Sequence, residues 1–209
     1  MKRLSIIGSS DLADQITHLA SECNYEVVGC FDDFKLKEID GKRTILGKIS
    51  DIKKMFDENV FDEIIMGIGY SHMEFRADLF EKIETQNIAI ASLIHPTCII
   101  DKTAKIGKGV ILYPGCIIDQ RVFIKDNVLL NLGCIIAHDS ILNRHSILSP
   151  AVKIAGFCTI GEKCNLGINT TIIDNISITD GVQTGASTLV VDSIVKSGLY
   201  IGSPAKFHK

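Results

Sequence analysis

The sequence predicts two folds in series: a small Rossmann-like α/β domain over residues 1–93 and a left-handed parallel β-helix over residues 94–209. Three observations carry this. Strand-like and helix-spaced apolar segments alternate as far as Ile94, an aliphatic residue then starts nearly every six-residue repeat, and that count runs without insertion to Val190.

In the first part, Leu4 to Ile7 is a β-rich apolar run closed by Gly8, and Leu12, Ile16, Leu19, Ala20 and Cys23 then share one helical face. Tyr25 to Phe31 is the next strand, ended by Asp32 and Asp33. Ser50 is placed to cap a short helix ending near Asn59, and Glu63 to Ile68 reads as strand. Ser71 and Glu74 have the spacing of a capping box, opening a third helix that runs to about Thr85. With Ile88 to Ile94 as a last strand the order is β-α-β-α-β-α-β, the order of a small parallel sheet.

Beyond His95-Pro96 the chain reads as hexads, from IHPTCI and IDKTAK through IAHDSI and IAGFCT to ITDGVQ, and fifteen consecutive hexads start with Ile or Leu. Thr184 and Val190 start the next two. An aliphatic first residue and a small or β-branched fifth suit short strands joined by tight turns around a narrow interior. Three hexads close one triangular coil, so residues eighteen apart stack at about 4.8 Å.

Composition narrows the function. Hydrophobic residues make up 46% of the 209, ample for a buried core. The net charge is −3 with no Lys/Arg-rich run, which argues against nucleic acid. No apolar run approaches the roughly 18 residues of a membrane span, so a cytoplasmic location is expected. The seven cysteines are expected to be reduced thiols, and no C-x-x-C pair suggests structural zinc. Cys98, Cys116 and Cys134, eighteen apart at fifth positions, form one inward packing column, with nothing nearby expected to depress a thiol pKa.

Six histidines are the natural candidates for a base near neutral pH. His18 lies on the polar face of the first helix, His72 at a helix start, His95 at the opening of the β-helix and His208 in the tail. His138 occupies a third hexad position, in a turn where side chains leave the prism, and Asp139 follows it. Stacking sets Gly156 beneath it, where glycine opens a backbone N–H to a ligand. A solvated turn histidine is the competing reading from spacing alone.

IIAHDSIL, IAGFCTIGEKCNLGINTTI and the closing IGSPAK, in this order and spacing, resemble the sialic-acid O-acetyltransferase-like sugar acetyltransferases. They are most similar to the N-acetyltransferases of nucleotide-linked 4-amino-4,6-dideoxy sugars, of the bacillosamine and perosamine type. The resemblance implies a homotrimer with active sites between subunits, acetyl-CoA as co-substrate with no tightly bound cofactor or metal, and a role in supplying surface polysaccharide. The amino-sugar nucleotide would be held by the N-terminal domain of one subunit. His138 would take a proton from the 4-amino group of a dTDP- or UDP-linked sugar as the amine attacks the thioester. Asp139 would tune this base, and the Gly156 N–H would hold the oxyanion. Nucleotide contacts fall by the same resemblance on Gly8, Ser9, Ser10, Asp32, Asp33 and Gly69. Coenzyme contacts fall on Gly156, Ile147, Gly167, Gly185, Ala186, Gly202 and Pro204. Physics agrees in outline: a strand-end carboxylate can accept from ribose hydroxyls, and a glycine turn lets backbone reach a diphosphate.

The chain departs from that family in three places. Gly8-Ser9-Ser10-Asp11 replaces a G-x-S-G-H-G turn and so lacks its histidine; Ile147 stands where many relatives have a coenzyme-contacting histidine; and Tyr70-Ser71-His72-Met73 replaces an Asn-rich turn. Other classes fit less well. GSSDLA lacks two glycines of G-x-G-x-x-G, against a dinucleotide oxidoreductase. His138 and His145 are seven apart and do not stack, against a three-histidine metalloenzyme. A non-catalytic sugar-nucleotide binder and an O-acetyltransferase using the same His138 remain as alternatives.

Overall fold

The computed structural model describes residues 1–35 and 44–209, and the chain divides into two compact units, Met1–Leu93 and Ile94–Lys209.

The first unit is built from β1 (Lys2–Ile7), α1 (Asp11–Glu22), β2 (Tyr25–Phe31), β3 (Ile45–Gly47), α2 (Ile52–Asp57), β4 (Glu63–Met66) and α3 (Met73–Thr85). The strands pair in parallel in the order β3-β2-β1-β4. Leu4, Ile6 and Ile7 of β1 are closed off from solvent, as are Ala13, Ile16, Leu19 and Ala20 of α1, so the helix turns Ala13 rather than Leu12 into the core.

Three local expectations need correction. Ser50 lies inside a 3-10 turn (Ile49–Asp51) and caps nothing; the Asp51 carboxylate instead accepts from the Lys48 N–H at 2.9 Å, a group of the right charge for a helix start. Ser71 and Glu74 form no capping box, because Tyr70–His72 make a 3-10 turn and His72 precedes α3 without a side-chain cap bond. The strand expected over 88–94 reduces to a bridge between Ile64 and Ile90 and the two-residue strand Leu93–Ile94.

The second unit is the left-handed parallel β-helix, its two-residue strands stacked in three sheets. Leu93–Ile94, Ile111–Leu112, Leu129–Leu130, Ile147–Leu148 and Asn165–Leu166 begin the first sheet. Ile99–Ile100, Ile117–Ile118, Ile135–Ile136, Lys153–Ile154, Thr171–Ile172 and Leu189–Val190 make the second, and Lys105–Ile106 to Ser177–Ile178 the third. Register holds at eighteen residues as far as Val190, as in Phe123 opposite Ile141 and Ile141 opposite Thr159, and shortens to sixteen where Val182 pairs with Gly198. Hexad starts from Leu112 to Ile178 line the interior at no more than 2% exposure. Each such side chain contributes about 1.5–3 kcal/mol by leaving water. The fifth positions fill the gaps between them: Cys116, Cys134 and Val152 in one column, Val122, Ser140 and Cys158 in the next, Val110, Val128, Ser146 and Cys164 in the third, all closed off.

The corners follow one rule. From Gly109 to Ser187 every fourth hexad residue has φ between 54° and 76°, which lets its N–H donate to a carbonyl one coil earlier. Asp139 N–H to Gln120 O at 3.1 Å and Phe157 N–H to His138 O at 3.1 Å are two instances. Gly and Asn fill seven of these places; Arg121, Asp139, His145, Ala151, Phe157, Lys163 and Ser187 hold the same left-handed conformation at some strain.

Candidate active site

His138 and Asp139 lie in the corner that joins the second sheet to the third, between Ile135–Ile136 and Ile141–Leu142. Gly156 occupies the corresponding place one coil on. Inward bonds anchor this corner: the Ser140 hydroxyl donates to Ala155 O at 2.9 Å and accepts from the Cys158 N–H at 3.1 Å. A Cβ placed on Gly156 would sit 2.6 Å from His138 Cε1 and 2.8 Å from Nε2, so the imidazole rests on the glycine.

One ring nitrogen is committed. His138 Nδ1 lies 2.9 Å from Asp139 Oδ2, and the same carboxylate accepts from Arg121 Nε at 2.7 Å and Nη2 at 2.8 Å. Arg121 stands eighteen residues before Asp139, so the two corner residues stack. The Arg121 guanidinium first, and His138 second, hold the Asp139 carboxyl down to about 2. It is therefore a permanent carboxylate, and an imidazole facing it carries its proton on Nδ1 and its lone pair on Nε2. Nε2 has no hydrogen-bond partner among the described residues, and neither has the Gly156 N–H. Phe157 meets His138 at right angles, with ring centroids 5.1 Å apart. An imidazole with an unspent nitrogen thus lies against a glycine whose N–H is also unspent, with the side chain of His138 39% exposed.

His145 lies at a different corner. It is buried, and its Nδ1 pairs with Asn127 Nδ2 at 2.9 Å. Among the described residues no group of three or more His, Cys, Asp or Glu could hold a metal ion. Cys116 and Cys134 point inward as expected, but the surroundings of the thiols are not neutral. Cys116 is pushed up to about 12 by Cys134 and burial, whereas Cys134 is held below the usual range by Cys116. The stacked thiols bias one another in opposite directions, and with both residues closed to solvent they remain packing groups.

The coenzyme candidates occupy other places. Gly167, Gly185 and Ala186 follow strands of the first sheet, at the corner leading to the second, and the Gly202 carbonyl accepts from the Leu189 N–H at 3.0 Å beside them, two residues before Pro204. A Cβ on Gly167 would stand 2.5 Å from Thr184 O, so that glycine is required by stacking alone. Ile147, on the outer side of the first sheet, is 5% exposed and presents little surface. These residues and His138 stand at different corners of one prism.

In the first unit Gly8 (φ 95°) turns the chain after β1, where a Cβ would stand 3.2 Å from the Gly67 carbonyl oxygen. Ser9 follows, its N–H and hydroxyl donating to Asp32 Oδ2 at 3.1 and 2.6 Å, and Ser10 precedes α1. Asp32 Oδ1 accepts from the Phe34 and Lys35 N–H groups at 2.9 and 3.1 Å. Burial would raise this carboxyl, but the Ser9 hydroxyl and three backbone N–H groups outweigh it and hold it below 3.8. With four bonds accepted, Asp32 has no site left for a ribose hydroxyl and acts as a clasp between two turns. Asp33 accepts from the Ile49 N–H at 2.9 Å, and Gly69 leads into the Tyr70–His72 turn.

The sequence reading missed Arg121 and Phe157. Arg121 is found by counting eighteen back from Asp139. Phe157 is the neighbour of the expected oxyanion donor, and its turn conformation carries no sequence mark.

Residues 3–83 match the family model described as the PglD N-terminal domain. The fold of the whole chain is that of PerB from Caulobacter crescentus, solved with CoA and GDP-perosamine (TM-score 0.91, 24% identity, 100% of this chain and 98% of that one). It is equally that of the acetyltransferase domain of PglB from Neisseria gonorrhoeae (TM-score 0.87, 23% identity, 99% of each chain). Among curated proteins, UDP-3-O-acylglucosamine N-acyltransferase of Bordetella pertussis is 35% identical over 66 residues, 32% of this chain. The Albidiferax ferrireducens protein of the same name is 32% identical over 65 residues, 31% of this chain. The chain spans about a fifth of the length of these curated relatives, 18% and 20% respectively. No helix among the described residues is long and apolar enough to cross a membrane.

Proposed function

We propose that this protein is an acetyl-CoA-dependent N-acetyltransferase acting on the 4-amino group of a nucleotide-linked 4-amino-4,6-dideoxyhexose, with dTDP or UDP as the nucleotide. The observation that carries the reading is His138: Nδ1 is fixed by a permanent carboxylate, Nε2 is unspent, and the ring lies on Gly156, whose N–H is also unspent. The PglD-type N-terminal unit and the fold shared with sugar-nucleotide acetyltransferases support the substrate class.

The chemistry follows from this geometry. The neutral sugar amine attacks the thioester carbonyl, forming the N–C bond. His138 Nε2 accepts the amine proton, and the resulting imidazolium is stabilised by Asp139 across Nδ1. The Gly156 N–H donates to the oxyanion. Collapse breaks the C–S bond, and the proton passes from Nε2 to the departing thiolate. A positioned base contributes about 10²–10⁴ in rate and one oxyanion donor about 10²–10³. Neither step uses a cysteine nucleophile.

Of the coenzyme residues only Gly156 shares the His138 corner, whereas Gly167, Gly185 and Ala186 stand at another, and a homotrimer with sites shared between subunits would bring the two corners together. Gly8, Ser10, Asp33 and Gly69 take the nucleotide, while Ser9, buried with its N–H and hydroxyl both donating to Asp32, shapes the turn with it. His138→Ala is expected to lower kcat at least about a hundredfold while the protein stays folded. An unchanged rate removes His138 as the base. Sedimentation showing a stable monomer removes the shared site.

A further inference from the structure

Phe157 occupies a position that its chemistry does not suit. Its φ is 58°, the left-handed region that the other corners fill mostly with Gly, Asn or short polar residues, and that a bulky side chain adopts only under strain. The residue is also 57% exposed. Strain and exposure at one aromatic residue call for a compensating contact, and the contact on this corner is with His138, ring against ring at 85° and 5.1 Å between centroids.

That contact supplies what the other neighbours of His138 leave undetermined. Asp139 holds Nδ1 through one hydrogen bond, about which the ring can still swing, and the side chain is 39% exposed. Gly156 gives a floor but no wall. A second ring at right angles limits the remaining rotation and keeps the imidazole against Gly156.

We propose that Phe157 is a positioning residue for the candidate base: the strained corner holds its ring against His138 so that the imidazole keeps one orientation over Gly156. The inference rests on the acyl-transfer reading above and deepens it. It also links strain to function, since the residue best for turn geometry at 157 is not the residue best for the site.

The test uses the full chain and the variants Phe157→Asn and Phe157→Tyr. Asn tolerates the left-handed conformation, so F157N is expected to unfold a few degrees higher than wild type. Its kcat is expected to fall about tenfold or more, with KM for acetyl-CoA little altered, because a base that wanders is lost from the transition state rather than from binding. The C–H resonances of the His138 ring, followed by NMR, should lose their ring-current displacement in F157N and keep it in F157Y, which should also retain kcat. Wild-type kcat in F157N, an unmoved His138 signal, or a lowered unfolding temperature each overturns the proposal. An active H138A would instead remove the base assignment, while the NMR contact would stand.

Discussion

Gly156→Ala separates the stability and the activity of this corner. The added Cβ would lie 2.6 Å from His138 Cε1 and 2.8 Å from Nε2, against about 3.5 Å for ordinary carbon contact, so the ring must withdraw by roughly 1 Å. The obstructing atoms end a partly exposed side chain, which can swing away, and the fold loses little. A displacement of about 1 Å at a catalytic group costs about 10²-fold in rate, or about 2.7 kcal/mol of transition-state stabilisation. Gly161→Ala is the control: its Cβ would meet the Asp180 N and Thr179 C backbone atoms, both at 2.5 Å, where nothing can swing aside. Steady-state acetyl transfer and thermal unfolding should therefore dissociate, with G156A folded but slow and G161A destabilised. A G156A enzyme with wild-type kcat would refute the contact between base and glycine, and one that unfolds like G161A would refute the claim that the ring yields.

Two further outcomes follow from the ladder and the ion pair. Arg121→Gln removes the larger of the two causes that hold Asp139 at about 2. A carboxyl lowered on folding stabilises above its ordinary 3.8 and loses that contribution as pH falls through about 2, so the wild type should unfold higher than R121Q at about pH 5, with the gap closing near pH 2; a gap that persists there contradicts the pairing. Leu148→Ala deletes a fully buried hexad start, and denaturant unfolding should show a loss of about 2–5 kcal/mol, whereas a loss below about 1 would mean that the interior collapses around the gap.

Much of the fold was legible because each β-helix residue has the same neighbour, eighteen positions away. That rule placed Gly156 under His138, stacked the cysteines, and separated His145, found at another corner against Asn127. The first unit was read less well at its edges. Ser50 and Ser71 have cap-like spacing, but 3-10 turns precede both helices and shift the caps. The three-residue strand Ile45–Gly47 went unread because pairing with β2, rather than any local period, makes it a strand. In the site, chain adjacency gave His138 and Asp139, whereas Phe157 depends on a backbone conformation set by the coil. Asp32 carries a nucleotide contact by resemblance alone, and spacing gives no sign that its carboxylate accepts from four local donors.

The most direct measurement incubates the purified protein with acetyl-CoA and a panel of nucleotide-linked sugars, with 4-amino and 4-hydroxy sugars on each nucleotide, and reads the products by mass spectrometry. The expected result is an acetylated product, stable to mild base as an amide is, from a 4-amino sugar alone, and its loss in the His138→Ala variant. A base-labile ester on the hydroxyl sugars, or acetylation of amine substrates at the same rate without His138, would contradict the account.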